Sequence, residues 1–362
     1  MRRKITAVQY AVALLFLSAL AVFGWDKVWL SQVSVRSKHG PMARANAPMT
    51  APEQPVTYLP LNGPLANRDA EISGLAWYGE YLILLPQYPK RLGDNIFALP
   101  KADIVSFLAG DRSEPLSPIP IPFDSSAIAN SIQGFEGFEA IAFAENQVFL
   151  AVEASTPAGM RGYLLSGQLD PNLSQLTVGL EPSVEVLSQS GLDNMSEETL
   201  VVVSEDLVVA IHEVYGAQFT TVPVTTAFDF TLSEPAVVMS FPPVDYRITD
   251  ATALDSQGRF WAVNYFYEGD DFLRPTRDPL LARYGQGPTH RQQATVERLV
   301  EFQYTSSGTT LVNRPPIQLQ LAANGRNWEG IARLDERGFL LITDKFPETI
   351  LGFVEMPDAE TQ

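Results

Sequence analysis

The sequence predicts an all-β fold, a β-propeller of five or six four-stranded antiparallel blades. Three observations predict it. A short phrase recurs five times: ISGLAW from Ile72, FEAIAF from Phe138, SEETLV from Ser196, TDATAL from Thr249 and WEGIAR from Trp328. A second apolar run follows each phrase and ends in a polar residue at a nearly constant interval. That interval is 14 residues for Ser73–Gln87, Glu139–Glu153 and Asp250–Asn264, and 15 for Glu198–Glu213 and Glu329–Asp344. After residue 30 the apolar stretches are short, rich in β-branched and aromatic residues, and bounded by Gly, Pro, Asn and Asp, the signature of strands. Self-similarity at a long fixed period marks a propeller, solenoid or array, and a sandwich would not repeat its phrase.

Taken in order, Arg2, Arg3 and Lys4 precede an uncharged stretch from Ile5 to Trp25, 21 residues long. A membrane-spanning helix needs about 20 residues and a signal-peptide core about 7–15. The basic flank keeps the N-terminus cytoplasmic and exports the remainder of the chain; Ala19-Leu20-Ala21 offers a cleavage pattern. Residues 1–30 therefore read as a signal peptide or signal-anchor helix, with an extracytoplasmic domain, periplasmic or secreted, beyond it. Residues 31–55 lack periodicity and read as a flexible linker. The propeller is expected over 56–356, as a monomeric domain, with a tail at 357–362.

The second blade is expected at Phe138–Phe143, Val148–Glu153, Gly162–Gln168 and Pro182–Leu187. The third follows at Leu207–His212, Thr220–Thr226 and Val237–Phe241. After Asp344 a single strand remains, Thr349–Glu355, so Val56–Leu61 is expected to complete that blade by pairing across the chain. The 79-residue interval from Asp250 to Glu329 leaves room for a sixth blade built from Val296–Tyr304 and Thr310–Leu321.

Formal charge is −17. Residues 1–55 hold 7 of the 25 Lys and Arg but only Asp26 and Glu53 of the 42 acids, which leaves a net charge of −22 over 56–362. Such a surface repels nucleic acid. The absence of cysteine rules out disulfides, thiolate catalysis and Cys-ligated metals. No G-x-S-x-G, Walker loop or H-E-x-x-H occurs, so the familiar serine-hydrolase, nucleotide and zinc-protease signatures are absent.

In an antiparallel hairpin the start of one strand faces the end of the next. Ser73, Glu139, Glu198, Asp250 and Glu329 are thus expected to ring one mouth of the central channel. Gln87, Glu153, Glu213 or His212, Asn264 and Asp344 would stand beside them. So many carboxylates cannot all ionise without compensation. Either some are protonated or cations sit among them; a hard divalent cation is the more economical compensation, because Glu, Asp, Asn and Gln oxygens suit Ca²⁺ or Mg²⁺ rather than zinc or copper. The expected ligands are Glu139, Glu198, Asp250, Asn264, Glu329 and Asp344. His212, the only imidazole within reach, and Glu153 are the candidate general bases. The loops on the same face carry Arg161, Arg274 and Lys345, candidates for binding an anionic substrate. Polar residues at such positions also serve simply to bond backbone and hold blades together.

The stretches EISGLAW…LILLPQYP, GFEGFEAIAF…VFLAVEA and NWEGIARLDERGFLLITDKFP resemble the phytase-like family, also described as the esterase-like activity of phytase family. The resemblance covers about residues 65–356. It is more distant to the gluconolactonase and paraoxonase propellers, where calcium sits at the channel centre. It implies an exported propeller that hydrolyses phosphoesters or other esters with bound calcium. Ser73, where an acid is expected, and Thr199, where Gly or Ala stands elsewhere, depart from the pattern. The alternative is a non-catalytic, membrane-tethered scaffold that presents the same face to an extracytoplasmic protein or glycan.

Overall fold

The computed structural model describes residues 53–204, 207–229 and 235–357. The expected signal or anchor helix, most of the linker and all but the first residue of the tail lie outside these. Among the described residues no helix is long and apolar enough to cross a membrane.

The domain is all-β. Two short strands, β1 (Glu53–Gln54) and β2 (Val56–Leu59), open it. A first four-stranded sheet follows: β3 (Ile72–Tyr78), β4 (Tyr81–Pro86), β5 (Asn95–Pro100) and β6 (Ile119–Pro122). The second is β7 (Phe135–Ala144), β8 (Gln147–Thr156), β9 (Gly159–Leu169) and β10 (Leu176–Leu187). The third antiparallel set is β11 (Glu197–Ser204), β12 (Leu207–His212), β13 (Val224–Asp229) and β14 (Pro235–Ser240). The fourth is β15 (Arg247–Ala251), β16 (Arg259–Phe266) and β17 (Val296–Thr305), extended by β18 (Gly308–Leu311) and β19 (Ile317–Leu319). A parallel bridge, Ser240 to Gly308, links the third and fourth sets. Last come β20 (Trp328–Leu334), β21 (Gly338–Thr343) and β22 (Leu351–Glu355), completed by β2, which pairs antiparallel with β22. Short β1 adds in parallel to β19.

Strand periodicity explains the continuous apolar runs. Successive side chains leave opposite faces of a strand, and here both faces are covered. In β4, Leu82 and Leu84 pack with Leu340 and Ile342 of the last sheet, whereas Ile83 and Leu85 pack with Phe138 and Leu150 of the second. In β8, Val148, Leu150 and Val152 face the first sheet while Phe149 and Ala151 face Leu200, Val208 and Phe228 of the third. In β16, Phe260 and Ala262 face the third set, and Trp261, Val263 and Tyr265 join Trp328, Phe339 and Leu341. The first strand of each set contacts the next: β3 lies against β7 and β20, β7 against β11, β11 against β15, and β15 against β20.

Two expectations need correction. The strand expected at Thr220–Thr226 is displaced to Val224–Asp229, because 213–223 forms a turn that buries Tyr215 completely and hydrogen-bonds Thr220 N to Gly216 O. Val296–Thr305 pairs along its length with Arg259–Phe266. The long interval before Glu329 is therefore one sheet interrupted by an insertion, residues 267–295, that carries the short helix α1 (Pro279–Tyr284).

Candidate functional site

Each recurring phrase folds into the same local feature. Along the pairing of β3 with β4, one extra residue sits between Ile72 and Gly74, at Ser73. The same one-residue bulge falls at Glu139 in β7, at Glu198 in β11 and at Glu329 in β20. In β15 it lies between Ile248 and Ala251, a segment containing Asp250. Bulges re-aim a side chain out of the ladder and recur beside functional sites. Gly or Ala follows four of the five, Thr199 being the exception, and at the two glycines packing leaves little or no room for a side chain. A Cβ on Gly330 would stand 2.7 Å from Ile342 Cγ2 and 3.1 Å from Leu75 N; one on Gly74 would stand 3.3 Å from Ile141 N.

The bulges deliver Ser73, Glu139, Glu198 and Glu329 into one cavity of about 720 Å³, together with Gln87, Glu153 and Asp344 from the second strands or the residues just beyond them. Its wall also carries Tyr88, Tyr265, Tyr267 and Phe346, with Arg247 and Lys345 as cations. Gln87 Nε2 donates to Glu139 Oε1 at 3.1 Å, and Asn327 Nδ2 to Asp344 Oδ2 at 3.5 Å. Glu153 Oε1 and Asp344 Oδ1 are buried without a hydrogen-bond partner.

Both cations are already engaged. Arg247 is clamped between Glu213, through Nη1, and Asp270, whose Oδ2 accepts from Nε at 2.7 Å. Lys345 Nζ bonds Glu71 Oε1 at 3.1 Å, and Arg91 holds the other oxygen of Glu71 at 2.8 Å. The carboxylates of Glu139, Glu153, Glu198, Glu329 and Asp344 line the cavity without a salt bridge of their own, although Arg247 attracts Glu198 and Glu329 and Lys345 attracts Asp344 through space. Burial raises the pKa of each. Glu139 rises to about 7, by burial and then the charges of Glu213 and Asp344, against the lowering effect of the Gln87 bond. Glu153 rises to about 9, by burial and then Glu139 and Glu213. Glu198 and Glu329 stand well above the usual range, first by burial and then chiefly by Glu213 and Asp344 respectively. Among the described residues, no three His, Asp or Glu side chains converge, as they stand, to hold one metal ion.

Several predicted site residues lie elsewhere. Asp250, 2 % exposed, turns inward from its bulge, accepting from Ile331 N at 2.8 Å, Ala251 N at 2.8 Å and Leu75 N at 3.4 Å. It clamps three strands instead of lining the cavity. Two residues further along the first strands, Leu75, Ile141, Leu200 and Ile331 line a second, largely apolar cavity of about 420 Å³. Asn264 spends its amide on Asp245 O and Arg247 O and its oxygen on Arg298 Nε, at 2.7–3.0 Å. His212 is wholly buried away from the cavity. Its Nδ1 accepts from Val214 N at 3.0 Å, which puts the proton on Nε2, 3.1 Å from Ser188 Oγ; burial depresses its pKa to about 4. Neither nitrogen is available to a substrate. Arg161 pairs with Glu185 at 2.8 Å, and Arg274 pairs with Asp271 at 2.9 Å while stacking on Phe266. Neither reaches the cavity.

Sequence reasoning missed Arg247, Tyr88 and the amides Gln293, Asn324 and Asn327 that line the cavity. Arg247 did leave a signal, a basic residue three positions before the acid of its phrase. Arg326 stands in the same place before Glu329 but is consumed by Glu297 at 2.8 Å.

No family model matches the chain, and no curated protein matches it. Solved structures with a similar trace include the catalytic domain of the Coprinopsis cinerea GH62 alpha-L-arabinofuranosidase, at 9% identity over 86% of this chain and 99% of that one, TM-score 0.44. The alpha-L-arabinofuranosidase of Podospora anserina in complex with cellotriose gives 10%, 86%, 98% and 0.44. A DUF4623 family protein from Bacteroides eggerthii gives 8%, 82%, 73% and 0.38.

Proposed function

We propose that the chain is a five-bladed β-propeller and a cation-dependent hydrolase of esters or phosphoesters, working at the cavity enclosed by its first strands. The cyclic contacts of β3, β7, β11, β15 and β20, and the pairing of β2 with β22, support the propeller. One observation carries the function: six carboxyl side chains, Glu139, Glu153, Glu198, Glu268, Glu329 and Asp344, line one cavity while both of its cations are bonded elsewhere. Like charges so gathered hold protons or a cation.

The donor set is carboxylate and amide oxygen, without sulfur and, with His212 turned away, without imidazole. That is the chemistry of Ca²⁺ or Mg²⁺, and the unpartnered Glu153 Oε1 and Asp344 Oδ1 are free donor oxygens. Glu139, Glu198, Glu329 and Asp344 would hold the ion. A bound divalent ion polarises an ester or phosphoryl oxygen and orients water. Glu153, in the same cavity, would take the proton of the attacking water. The Gln87 amide orients Glu139, and the Tyr88 and Tyr265 rings wall off water.

Calcium should raise the melting midpoint of the full chain, and EDTA should abolish turnover of a chromogenic phosphate or acetate ester. Both effects should vanish in Glu329→Gln. Turnover indifferent to chelator and to that substitution would reject the proposal. The second reading is a non-catalytic binding scaffold that presents the same cavity, with the exposed Tyr267 at its wall, to a ligand. A calcium-dependent rise in melting without turnover would support it.

A further inference from the structure

We propose that the ligand class of this cavity is a small organic polycation, a molecule bearing two or more protonated amines separated by methylene groups. The inference rests on the same cavity being the working site, and it needs neither the metal nor the hydrolysis. Four observations carry it. The first is sign: Glu139, Glu153, Glu198, Glu268, Glu329 and Asp344 outnumber the two cations of the wall, and Arg247 is already clamped by Glu213 and Asp270 and Lys345 tied to Glu71. An anionic ligand would meet no free cation there.

The second is distribution. These carboxylates enter from three different sheets and the 267–295 insertion, and no three of them meet at one point. A compact ion satisfies convergent donors; a chain of separated ammonium groups satisfies dispersed ones, each as a charge-assisted hydrogen bond. The third is a buried acceptor with nothing to accept: Glu153 lines the cavity, is 2 % exposed, and has Oε1 unpartnered. The fourth is the wall. The Tyr265 and Tyr267 rings stack at 6.1 Å and 14°, with Tyr267 43 % exposed at the mouth. Aromatic faces attract ammonium groups and cover the intervening methylenes. A cavity of about 720 Å³ accommodates such a molecule.

The test is calorimetric titration of the full chain with spermidine, in EDTA and near-physiological salt, where loose attraction to an acidic surface is screened. One equivalent should bind. Glu329→Gln and Glu153→Gln should each weaken binding about tenfold, roughly 1.4 kcal/mol. Tyr267→Ala should weaken it several-fold, and Glu114→Gln, on a distant exposed acid, should leave it unchanged. Thermal melts show whether each variant is folded. Absence of saturable binding by the folded wild type overturns the inference, as does binding that responds equally to Glu114→Gln and Glu329→Gln. Calcium binding without spermidine binding overturns it while sparing the hydrolase proposal. Spermidine binding without calcium binding or turnover supports it and rejects the metal-dependent reading.

Discussion

Asp250 and Glu329 occupy the same place in the repeat and do different work. Glu329 projects into the acidic cavity, whereas the shorter Asp250 folds back onto three backbone N–H groups of β3, β15 and β20. Spacing made both legible as polar positions between strands. It could not reveal which way the carboxylate turned, since that depends on amides from segments 81 and 175 residues away. His212 makes a similar point: its place beside Glu213 suggested a base, yet Val214 N and Ser188 hold both nitrogens. It carries a pH prediction. Its folded pKa, about 4, lies below its ordinary value of 6.5, so the unfolded chain binds the extra proton first. The corresponding stability is intact above pH 6.5 and is lost as pH falls toward 4, by at most about 3 kcal/mol. Denaturant melts of His212→Gln should therefore show a shallower loss between pH 6.5 and 4.5 than the wild type. Parallel curves would remove His212 as the cause.

At the scale of elements, strands were readable and bulges were not. Leu82–Leu85 announce a strand covered on both faces because all four side chains are apolar, and Val148–Val152 likewise. A single supernumerary residue leaves no trace in one strand; it exists only relative to the partner's register. The Gly or Ala after four of the five polar positions was the visible half of the signal, and packing explains the glycines. Adding even a methyl at Gly330 meets Leu75 Cγ at 2.9 Å and Leu75 N at 3.1 Å. Gly330→Val should cost about 2–3 kcal/mol, in line with overpacked cores, and should weaken any ligand of the cavity by displacing Glu329. Urea denaturation gives the first quantity and titration the second; a variant as stable as wild type would mean that β3 and β20 can separate freely. The displaced third-set strand has a tertiary cause: the turn before it buries Tyr215 completely, and the strand begins only at Val224.

At the scale of the whole molecule, acidic side chains are gathered around one cavity as well as spread over the surface. The sequence indicated the acidic excess, and five repeats indicated that part of it gathers in one place. The pairing of both cations with acids outside the cavity depends on contacts such as Glu213 with Arg247 and Glu71 with Lys345, which no spacing rule predicts. The last sheet depends on β2. Replacing Val56–Leu59 with a Gly-Ser segment should lower the thermal midpoint by about 5 °C or more and expose the β22 edge to self-association. Scanning calorimetry and light scattering check both, and an unchanged midpoint would show that β2 is dispensable.

That pairing also sets a timetable. Val56 meets Val354 across nearly the entire chain, so β2 must wait, unpaired, until the ribosome has delivered Leu351–Glu355. Contacts of such long sequence separation form slowly, and until this latch shuts, the β22 edge stays open. A stalled or truncated copy, however well formed its early sheets, remains unlatched.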